Sequence, residues 1–368
     1  MTKTVAPKLA FESGGRFIRD TRSEVEAYLA DRRTRRRGQI QLYAKAPVGL
    51  GLMVASWSLL LFAPHSLLLG VPLLAGMVLA TMIIAFSVQH DANHGAYTRS
   101  RRVNHLIGLS ADGLLGFSSY VWRVKHNVAH HTYTNVTGYD DDIAQAPLAR
   151  FAPAQTVKPW YRFQHYYVWL LYMFMGLRWQ SLGDIASFSR GRVGTSTLRF
   201  PRGWDLVGLL GGKSFFVTWA IAIPLLVYPW WIVLTAYLGF VMVTSLVMAT
   251  TFQLAHCVEE ASFASPGELD AERRVWAVHE VETTVDFCPR NPILTWLLGG
   301  LNFQIEHHLF PRVPHTHYPA IARIVAANCA RHGVRYTSQP SLRLALRSHF
   351  LHLRSMGRQG LPIELEMG

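Results

Sequence analysis

Two long apolar runs joined by a three-residue link restrict this chain to very few folds. Residues 46–63 and residues 67–88 contain no charged side chain, and residues 64–66 separate them. Each run is close to the roughly 20 residues that a bilayer-spanning helix needs. Such a short link forces two helices into an antiparallel hairpin. Residues 206–228 and 230–254 form a second pair with the same arrangement.

Two of the apolar segments are weaker candidates for membrane-spanning helices. Lys213 lies near one end of residues 206–228, so that span could begin at Ser214. Residues 166–177 are too short to cross a bilayer, which indicates an interfacial or buried helix. We therefore predict an all-α integral membrane protein with four transmembrane helices in two hairpins. The predicted spans are residues 46–63, 67–88, 206–228 and 230–254.

Basic residues flank the first hairpin, whereas neither hairpin tip carries Lys or Arg. The flanking basic residues are found at residues 32–37, Lys45, residues 99–102, Arg123 and Lys125. The positive-inside rule then predicts a multi-pass protein with both termini in the cytoplasm, in a bacterial inner membrane or the endoplasmic reticulum. This orientation accounts for much of the net charge of +13, so no nucleic-acid partner is expected.

The polar residues lie mostly outside the apolar runs. Charged residues make up 16% of the chain, against roughly 25% in soluble domains. We expect the loops between the runs to form a helical cytoplasmic cap. The predicted divisions are a polar N-terminal arm over residues 1–40, a membrane domain over 41–335 and a cytoplasmic tail over 336–368. The three separated cysteines favour neither a disulfide framework nor a thiolate zinc site.

Eight of the 17 histidines fall in clusters or at the end of an apolar run. They are His90 and His94 in QHDANHG, His126, His130 and His131 in KHNVAHHTYTN, His307 and His308 in NFQIEHHLFP, and His256 in FQLAHCVEE. Residues four apart share one helix face, so each HxxxH pair can converge on a metal, and Gln304 shares the face of the third cluster. One HxxxH pair is expected by chance, but the combination on one side of the membrane indicates a metal site.

The number of these side chains constrains the metal. Eight imidazoles and one glutamine exceed the ligands of one zinc ion. They suit two first-row metals with open positions for oxygen, and imidazole suits iron. No HExxH zinc-protease motif occurs. We predict a non-haem di-iron site, with haem, another metal and purely structural histidines as the alternatives.

A metal-bound imidazole usually donates its other ring N–H to an acceptor. The residues predicted to support the ligands in this way are Asp91, Asp140, Asp142, Glu306 and His315. For the acids, ordinary solvated or capping positions are the alternative. His105, His279 and His317 are nearby candidates for the same role. His65, His165, His332, His349 and His352 are expected to be surface or packing residues.

The boxes HDANH, HNVAHH and QIEHH, in that order around two helical hairpins, resemble those of the membrane-bound fatty acid desaturases. The strings WRVKHNVAHHTYTN, FQLAH and LNFQIEHHLFPRVPHTHYP are similar to the acyl-lipid and linoleoyl-CoA branch, over most of residues 40–335. In front-end members of that branch Gln replaces the first His of the third box, as Gln304 does here. The family's ligand positions match His90, His94, His126, His130, His131, His256, Gln304, His307 and His308. No HPGG motif occurs, so no fused cytochrome b5 domain is expected.

The resemblance implies an oxidoreductase that introduces a cis double bond into a fatty acyl lipid or acyl-CoA. It also implies two non-haem iron ions, dioxygen as co-substrate and two electrons from outside the chain. A separate ferredoxin, or cytochrome b5 with its reductase, would supply these electrons, and the Arg-rich face suits an acidic donor. Trp122, Phe252 and Trp296 are predicted to line the substrate tunnel, with ordinary packing as the alternative.

Two other functions remain open on these motifs. A hydroxylase, ketolase or conjugase would use the same metal ligands. Only the amino-acid sequences of the histidine boxes favour a desaturase. A non-catalytic metal-binding membrane protein is the alternative from a different class.

Overall fold

The four apolar runs form four long helices. A computed structural model describes residues 9–12, 14–63, 66–181, 183–272 and 274–359. The long helices are span 1 (Arg32–Phe62), span 2 (Leu68–His94), span 3 (Trp204–Leu225) and span 4 (Trp230–His256). Each is long and apolar enough to cross a membrane. The helical content of 69% confirms the predicted all-α class.

The helices extend beyond the predicted spans at the polar ends. Span 1 begins at Arg32, not at residue 46, so the Arg-rich stretch and Lys45 belong to it. Span 3 begins at Trp204, and Lys213 lies inside it. Hydropathy marks where the apolar surface begins, whereas a helix continues as long as its backbone is hydrogen-bonded. The polar arm predicted over residues 1–40 therefore contains a separate helix and the first turns of span 1.

Spans 2 and 4 likewise end later than predicted. Span 2 continues past residue 88 to His94, and span 4 continues past residue 254 to His256. Their last turns therefore carry His90, His94 and His256.

Shorter helices cover the polar ends of the spans, and we call this layer the cap. Its helices, together with the N-terminal one, are Arg16–Ala30, Arg101–Leu115, Ser119–Arg123, Val124–His130, Pro159–Phe163, Gln164–Met173, Met175–Gln180, Gly183–Arg190, Pro266–Glu272, Trp276–Thr283, Pro292–Leu297, Gln304–Leu309, His315–His317, Tyr318–His332 and Leu342–Arg358. The strands are two-residue pairs, Arg192–Val193 antiparallel to Ser196–Thr197 and Asp286–Phe287 parallel to Ser338–Gln339.

Close helix packing fixes the cap to the spans. Span 1 packs on span 2, and span 2 on span 4. Span 3 packs mainly on Arg101–Leu115, where a Cβ added to Gly208 would lie 2.4 Å from Leu109 Cδ2. Small residues permit such a close approach of two helices.

The ends of the chain pack onto the same cap. Arg16–Ala30 packs on Tyr318–His332, and Leu342–Arg358 packs on Gln164–Met173. Gln164–Met173 covers much of residues 166–177, the run predicted to be too short to span a bilayer, and it is a helix of 10 residues. The predicted tail over residues 336–368, as far as residue 359, is therefore part of the cap.

Candidate metal centre

The second histidine box lies on a π-helix, not on the regular helix that the i, i+4 argument assumed. Val124–His130 is π-helical, and the His131 N–H donates to the His126 carbonyl at 3.0 Å. This i→i+5 turn is wider than an α-helical turn. It brings two consecutive imidazoles beside that of His126, with ring centroids 5.3 Å away for His130 and 4.7 Å away for His131.

Four imidazoles form a first cluster. Ring nitrogens of His90, His94, His126 and His307 all lie within 4.8 Å of one another. Span 2 carries two of these residues, the π-helix carries one, and Gln304–Leu309 carries the last. All four are fully or largely buried. Residues far apart in sequence thus converge on one point at the end of span 2.

Three imidazoles form a second cluster beside the first. Ring nitrogens of His130, His256 and His308 lie within 4.8 Å of one another, and all three side chains are buried. Gln304 lies at its edge, with Nε2 2.9 Å from Nε2 of His256. The glutamine predicted from the third box is therefore within reach of the same centre.

His131 lies between the two clusters. Its Nε2 is 3.0 Å from Nε2 of His307 and 3.2 Å from Nε2 of His126. Its ring also stacks on that of His308, with centroids 4.2 Å apart. All nine residues predicted as ligands therefore gather at one place, in two adjacent groups.

Unpaired ring nitrogens indicate that the clusters fit metal ions. Among the described residues, several buried atoms here have no hydrogen-bond partner: Nε2 of His90, His94 and His308, Nδ1 of His131 and His256, and Oε1 of Gln304. Buried polar atoms without a partner are rare in folded proteins. A neutral imidazole has one N–H and one lone pair, so rings that turn their lone pairs towards one another leave those nitrogens without a donor. Cations would satisfy them, and imidazole is a ligand suited to iron.

The pKa values of four imidazoles outside the spans agree with this fit. Burial, with the charge of neighbouring imidazoles, lowers the pKa of each of them well below the usual value. They are His126, His131, His307 and His308. These rings are neutral at neutral pH, so each offers a lone pair to a metal.

Carboxylates lie against two of the candidate ligands. Asp140 Oδ2 lies 3.0 Å from His130 Nδ1, and Asp142 Oδ2 lies 3.5 Å from the same atom. Although burial lowers the pKa of His130, these acids raise it to about 9. Asp91 Oδ1 lies 3.4 Å from His90 Nδ1.

Glu306 takes a different position from the other predicted acids. Its Oε1 accepts a hydrogen bond from the Tyr336 hydroxyl at 3.2 Å. Burial and the neighbouring charge of Asp286 raise the pKa of Glu306 well above its usual range. Glu306 therefore pairs with Asp286, and no described hydrogen bond joins its side chain to a candidate ligand.

Sequence reasoning missed Glu280, which contacts a candidate ligand. Its Oε2 lies 2.6 Å from His308 Nδ1 and accepts a 2.8 Å hydrogen bond from Thr134 Oγ1. Burial raises the pKa of Glu280 well above its usual range. Tyr318, also missed, has its hydroxyl 3.3 Å from His307 Nδ1. Trp276–Thr283 carries two carboxylates, Glu280 and Glu282, and nothing in the sequence distinguishes the one that reaches His308.

Replacing Glu280 by alanine should weaken metal binding at the second cluster. The His308 imidazole would lose the acceptor at Nδ1, and loss of such a partner typically costs about 10- to 100-fold in metal affinity or activity. Iron content and desaturation by purified protein measure the effect. Glu282→Ala is the matched control, since no described contact links that side chain to either cluster; equal iron loss in both variants would contradict the assignment.

The other histidines lie away from the clusters. Their contacts are His105 with Asp205, His279 with the Thr134 carbonyl, and His317 with Tyr28. His165, His332, His349 and His352 pack or pair elsewhere, as expected of bystanders. His65 lies outside the described residues.

A largely apolar cavity of about 330 Å³ ends at the clusters. Its polar lining includes His126, His130, His256 and Gln304 and the charged residues Lys125, Asp140, Asp141, Asp142, Arg178, Asp184 and Arg190. Its apolar wall includes Val168, Leu171, Ala249 and two residues predicted for the tunnel, Trp122 and Phe252. The third predicted tunnel residue, Trp296, does not line this cavity because it packs at Lys45, with its carbonyl 2.7 Å from Nζ.

A second, basic cavity of about 800 Å³ lies on another side of the clusters. His94 and His131 line it, and no Asp or Glu is among its described lining residues. Its arginines are Arg35, Arg99, Arg101, Arg123 and Arg312. We call it the arginine cavity.

Comparison with known proteins agrees with this architecture. A family model described as fatty acid desaturase matches residues 64–340. The chain belongs to the fatty acid desaturase family. It is 37% identical over 362 residues to a sn-1 linoleoyl-lipid 6-desaturase of Arthrospira platensis, covering 97% of this chain and 96% of the relative.

Two further relatives support the same family. A sn-1 linoleoyl-lipid 6-desaturase of Synechocystis sp. is 34% identical over 96% of this chain and 99% of its own length. An acyl-lipid (8-3)-desaturase of Physcomitrium patens is 34% identical over 93% of this chain and 72% of its own length. The predicted activity is thereby confirmed: the chain is a membrane oxidoreductase that desaturates fatty acyl lipids, in a family that uses non-haem iron and dioxygen.

Proposed function

We propose that the two histidine clusters hold the two iron ions of an acyl-lipid desaturase. His90, His94, His126 and His307 would bind one ion, and His130, His256 and His308 the other, with His131 and Gln304 beside them. The observation that carries this proposal is the convergence of ring nitrogens to within 4.8 Å of one another in each of two adjacent groups of buried histidines, several of which keep a ring nitrogen without a hydrogen-bond partner among the described residues. When bound, the iron pair supplies the oxygen chemistry needed to break unactivated C–H bonds, for which a protein offers no general base.

The chain's own residues position the reactants. Asp140 and Glu280 hold a proton on Nδ1 of His130 and His308, which leaves Nε2 of each ring for the metal. The apolar cavity would hold the acyl chain with two adjacent methylenes beside the clusters and exclude water from them. Two hydrogens leave the chain and, with dioxygen, two electrons and two protons, give a cis double bond and two waters.

We infer that the acyl chain is carried on a lipid and is desaturated between an existing double bond and the carboxyl end. The names of the relatives support the lipid carrier, and two of them are linoleoyl-lipid 6-desaturases. Gln304 in the third box supports the front-end position, and it lies against His256.

Expression in a host that lacks this activity tests the function. Lipids from the host, supplied with linoleate, should contain an acyl species two hydrogens lighter, with its new double bond at carbon 6 by gas chromatography and mass spectrometry. A species one oxygen heavier would instead indicate a hydroxylase. A protein that folds and binds iron yet changes no acyl chain would contradict the proposal.

The arginine cavity is proposed as the docking site of a separate, acidic electron donor, a ferredoxin or cytochrome b5. It reaches His94 and His131, and its described lining carries arginine without a carboxylate. Arg99, Arg101 and Arg312 are exposed. Complementary charge steers association and raises its rate. Donor docking here would bring the electrons to the surface nearest His94 and His131.

Reversing two of these charges should weaken the donor interaction. We expect Arg99→Glu combined with Arg312→Glu to raise the KM for the reduced donor by about 10-fold or more at low salt. The difference from wild type should shrink as salt screens the charges. Steady-state assays with reduced ferredoxin and with reduced cytochrome b5 measure it. Arg343→Glu with Arg347→Glu, exposed elsewhere on the cap, is the control; equal changes in both pairs would contradict docking at this cavity.

Both termini and the cap are proposed to lie in the cytoplasm. The histidine-bearing ends of spans 2 and 4 and the arginine-rich start of span 1 share one side of the protein. An excess of Arg and Lys favours the cytoplasmic side. This orientation places the arginine cavity where a soluble donor can reach it.

A further inference from the structure

A buried lysine in span 1 is unexplained by the proposed function. Lys45 is 2% exposed, and its ammonium group is buried where span 1 meets the cap. Its Nζ lies 3.1 Å from Ser87 Oγ, 2.7 Å from the Trp296 carbonyl and 2.8 Å from His315 Nε2. An ammonium has three N–H groups, so these acceptors account for all of them. Ionisable groups buried in membrane helices are costly and commonly functional.

The contacts continue from Lys45 to the first cluster. His315 Nδ1 lies 2.9 Å from Asp91 Oδ2, and the His315 backbone N–H donates to the same oxygen at 3.2 Å. Asp91 Oδ1 then lies 3.4 Å from Nδ1 of His90. A continuous series of contacts therefore joins Lys45 to His90 through His315 and Asp91. All four side chains are buried.

The chemistry of the groups fixes the direction of each hydrogen bond. An ammonium only donates, so His315 Nε2 accepts and its proton lies on Nδ1. That proton is donated to Asp91. The remaining carboxylate oxygen accepts from Nδ1 of His90. The lone pair of His90 is thereby placed on Nε2, a buried atom with no hydrogen-bond partner among the described residues.

We propose that Lys45 is a positioning residue for the iron site of the first cluster, acting through His315 and Asp91 on His90. The inference rests on the proposed function, since it concerns iron binding by that cluster. Lys45 supplies the positive charge that balances Asp91 and selects the tautomer of His315. Through these two residues it holds the His90 ring with Nε2 facing the cluster.

The second cluster is supported differently, which makes the expected effect selective. His130 and His308 have carboxylates directly on Nδ1, from Asp140 and Glu280. Neither acid contacts Lys45 or His315 among the described hydrogen bonds and ion pairs. Loss of Lys45 should therefore weaken one iron site and leave the other intact.

Mössbauer spectroscopy and iron analysis of purified, iron-replete Lys45→Met enzyme test the proposal. Methionine is similar in length but has neither charge nor donor. We expect the affinity of one site to fall by about 10- to 100-fold. Under mild chelation the iron content should fall towards one per chain, with loss or alteration of one of two spectral components. Wild-type iron content and an unchanged spectrum would overturn the proposal.

Lys213→Met is the matched control. Lys213 is also a lysine in a span, and its Nζ contacts the carbonyls of Gly116, Trp179 and Gln180 and the carboxylate of Asp184. None of these groups leads to either cluster by a described hydrogen bond. We expect this variant to keep both spectral components. Loss of the same component in Lys213→Met would show a general effect of removing a lysine from a span and would overturn the proposal.

His315→Leu keeps the test decisive if Lys45→Met does not fold. This variant interrupts the series of contacts from Lys45 to His90 but retains the lysine. The same spectral component should change. An unchanged spectrum in monodisperse His315→Leu enzyme would overturn the proposal. Failure of the proposed function is distinguishable, because wild-type enzyme would then hold no iron pair at all.

Discussion

His307→Ala enzyme is expected to form no detectable double bonds. The His307 imidazole belongs to the first cluster and also lies 3.0 Å from His131 Nε2, so its removal opens both groups of ligands. Loss of a supporting partner alone typically costs about 10- to 100-fold, and loss of a ligand should cost more than about 100-fold. Acyl-chain analysis of an expressing host measures product, and metal analysis of the purified variant measures iron.

His332→Ala is the control for this variant. His332 is a histidine of the cap whose Nε2 lies 2.9 Å from Asp20, away from both clusters. It should retain wild-type product and iron. Near-normal activity of His307→Ala would contradict the role of the clusters, as would similar losses in the two variants.

Filling the apolar cavity should abolish turnover without removing iron. Ala249 on span 4 lines this cavity and is 3% exposed, so Ala249→Trp would place an indole where the acyl chain is proposed to lie. A displacement of reacting groups of about 1 Å can cost about 100-fold in rate. We expect at least that loss for a long acyl chain, with iron content unchanged, by product analysis and metal analysis of the same preparation.

Val243→Trp is the matched substitution on the same helix. Val243 is 47% exposed on the outer face of span 4, where an indole meets lipid instead of the cavity. Its activity should stay close to wild type. Full activity of Ala249→Trp on long chains would show that the substrate does not use this cavity.

Features that depend on a pattern within one segment of the sequence could be predicted. Apolar runs predicted four helices, and the histidine boxes with Gln304 predicted residues that gather at one place. The helix ends were less predictable, because the turns carrying His94 and His256 continue past the apolar surface into polar packing. The π-helical turn at His130 has no hydropathy signal either.

Residues that act through three-dimensional proximity could not be predicted in the same way. Glu280 reaches His308 from a separate helix, and Lys45 reaches His315 from the other end of the chain. Trp296 looked like a tunnel aromatic in the sequence, but its carbonyl instead accepts from that lysine. Each of these contacts joins elements distant in sequence, and only the packing of the cap on the spans brings them together.

Iron-edge anomalous scattering from crystals of iron-replete enzyme tests the central claim most directly. Two peaks are predicted, one among His90, His94, His126 and His307 and the other among His130, His256 and His308. Iron absent from both clusters, or a single peak at full occupancy, would contradict the account.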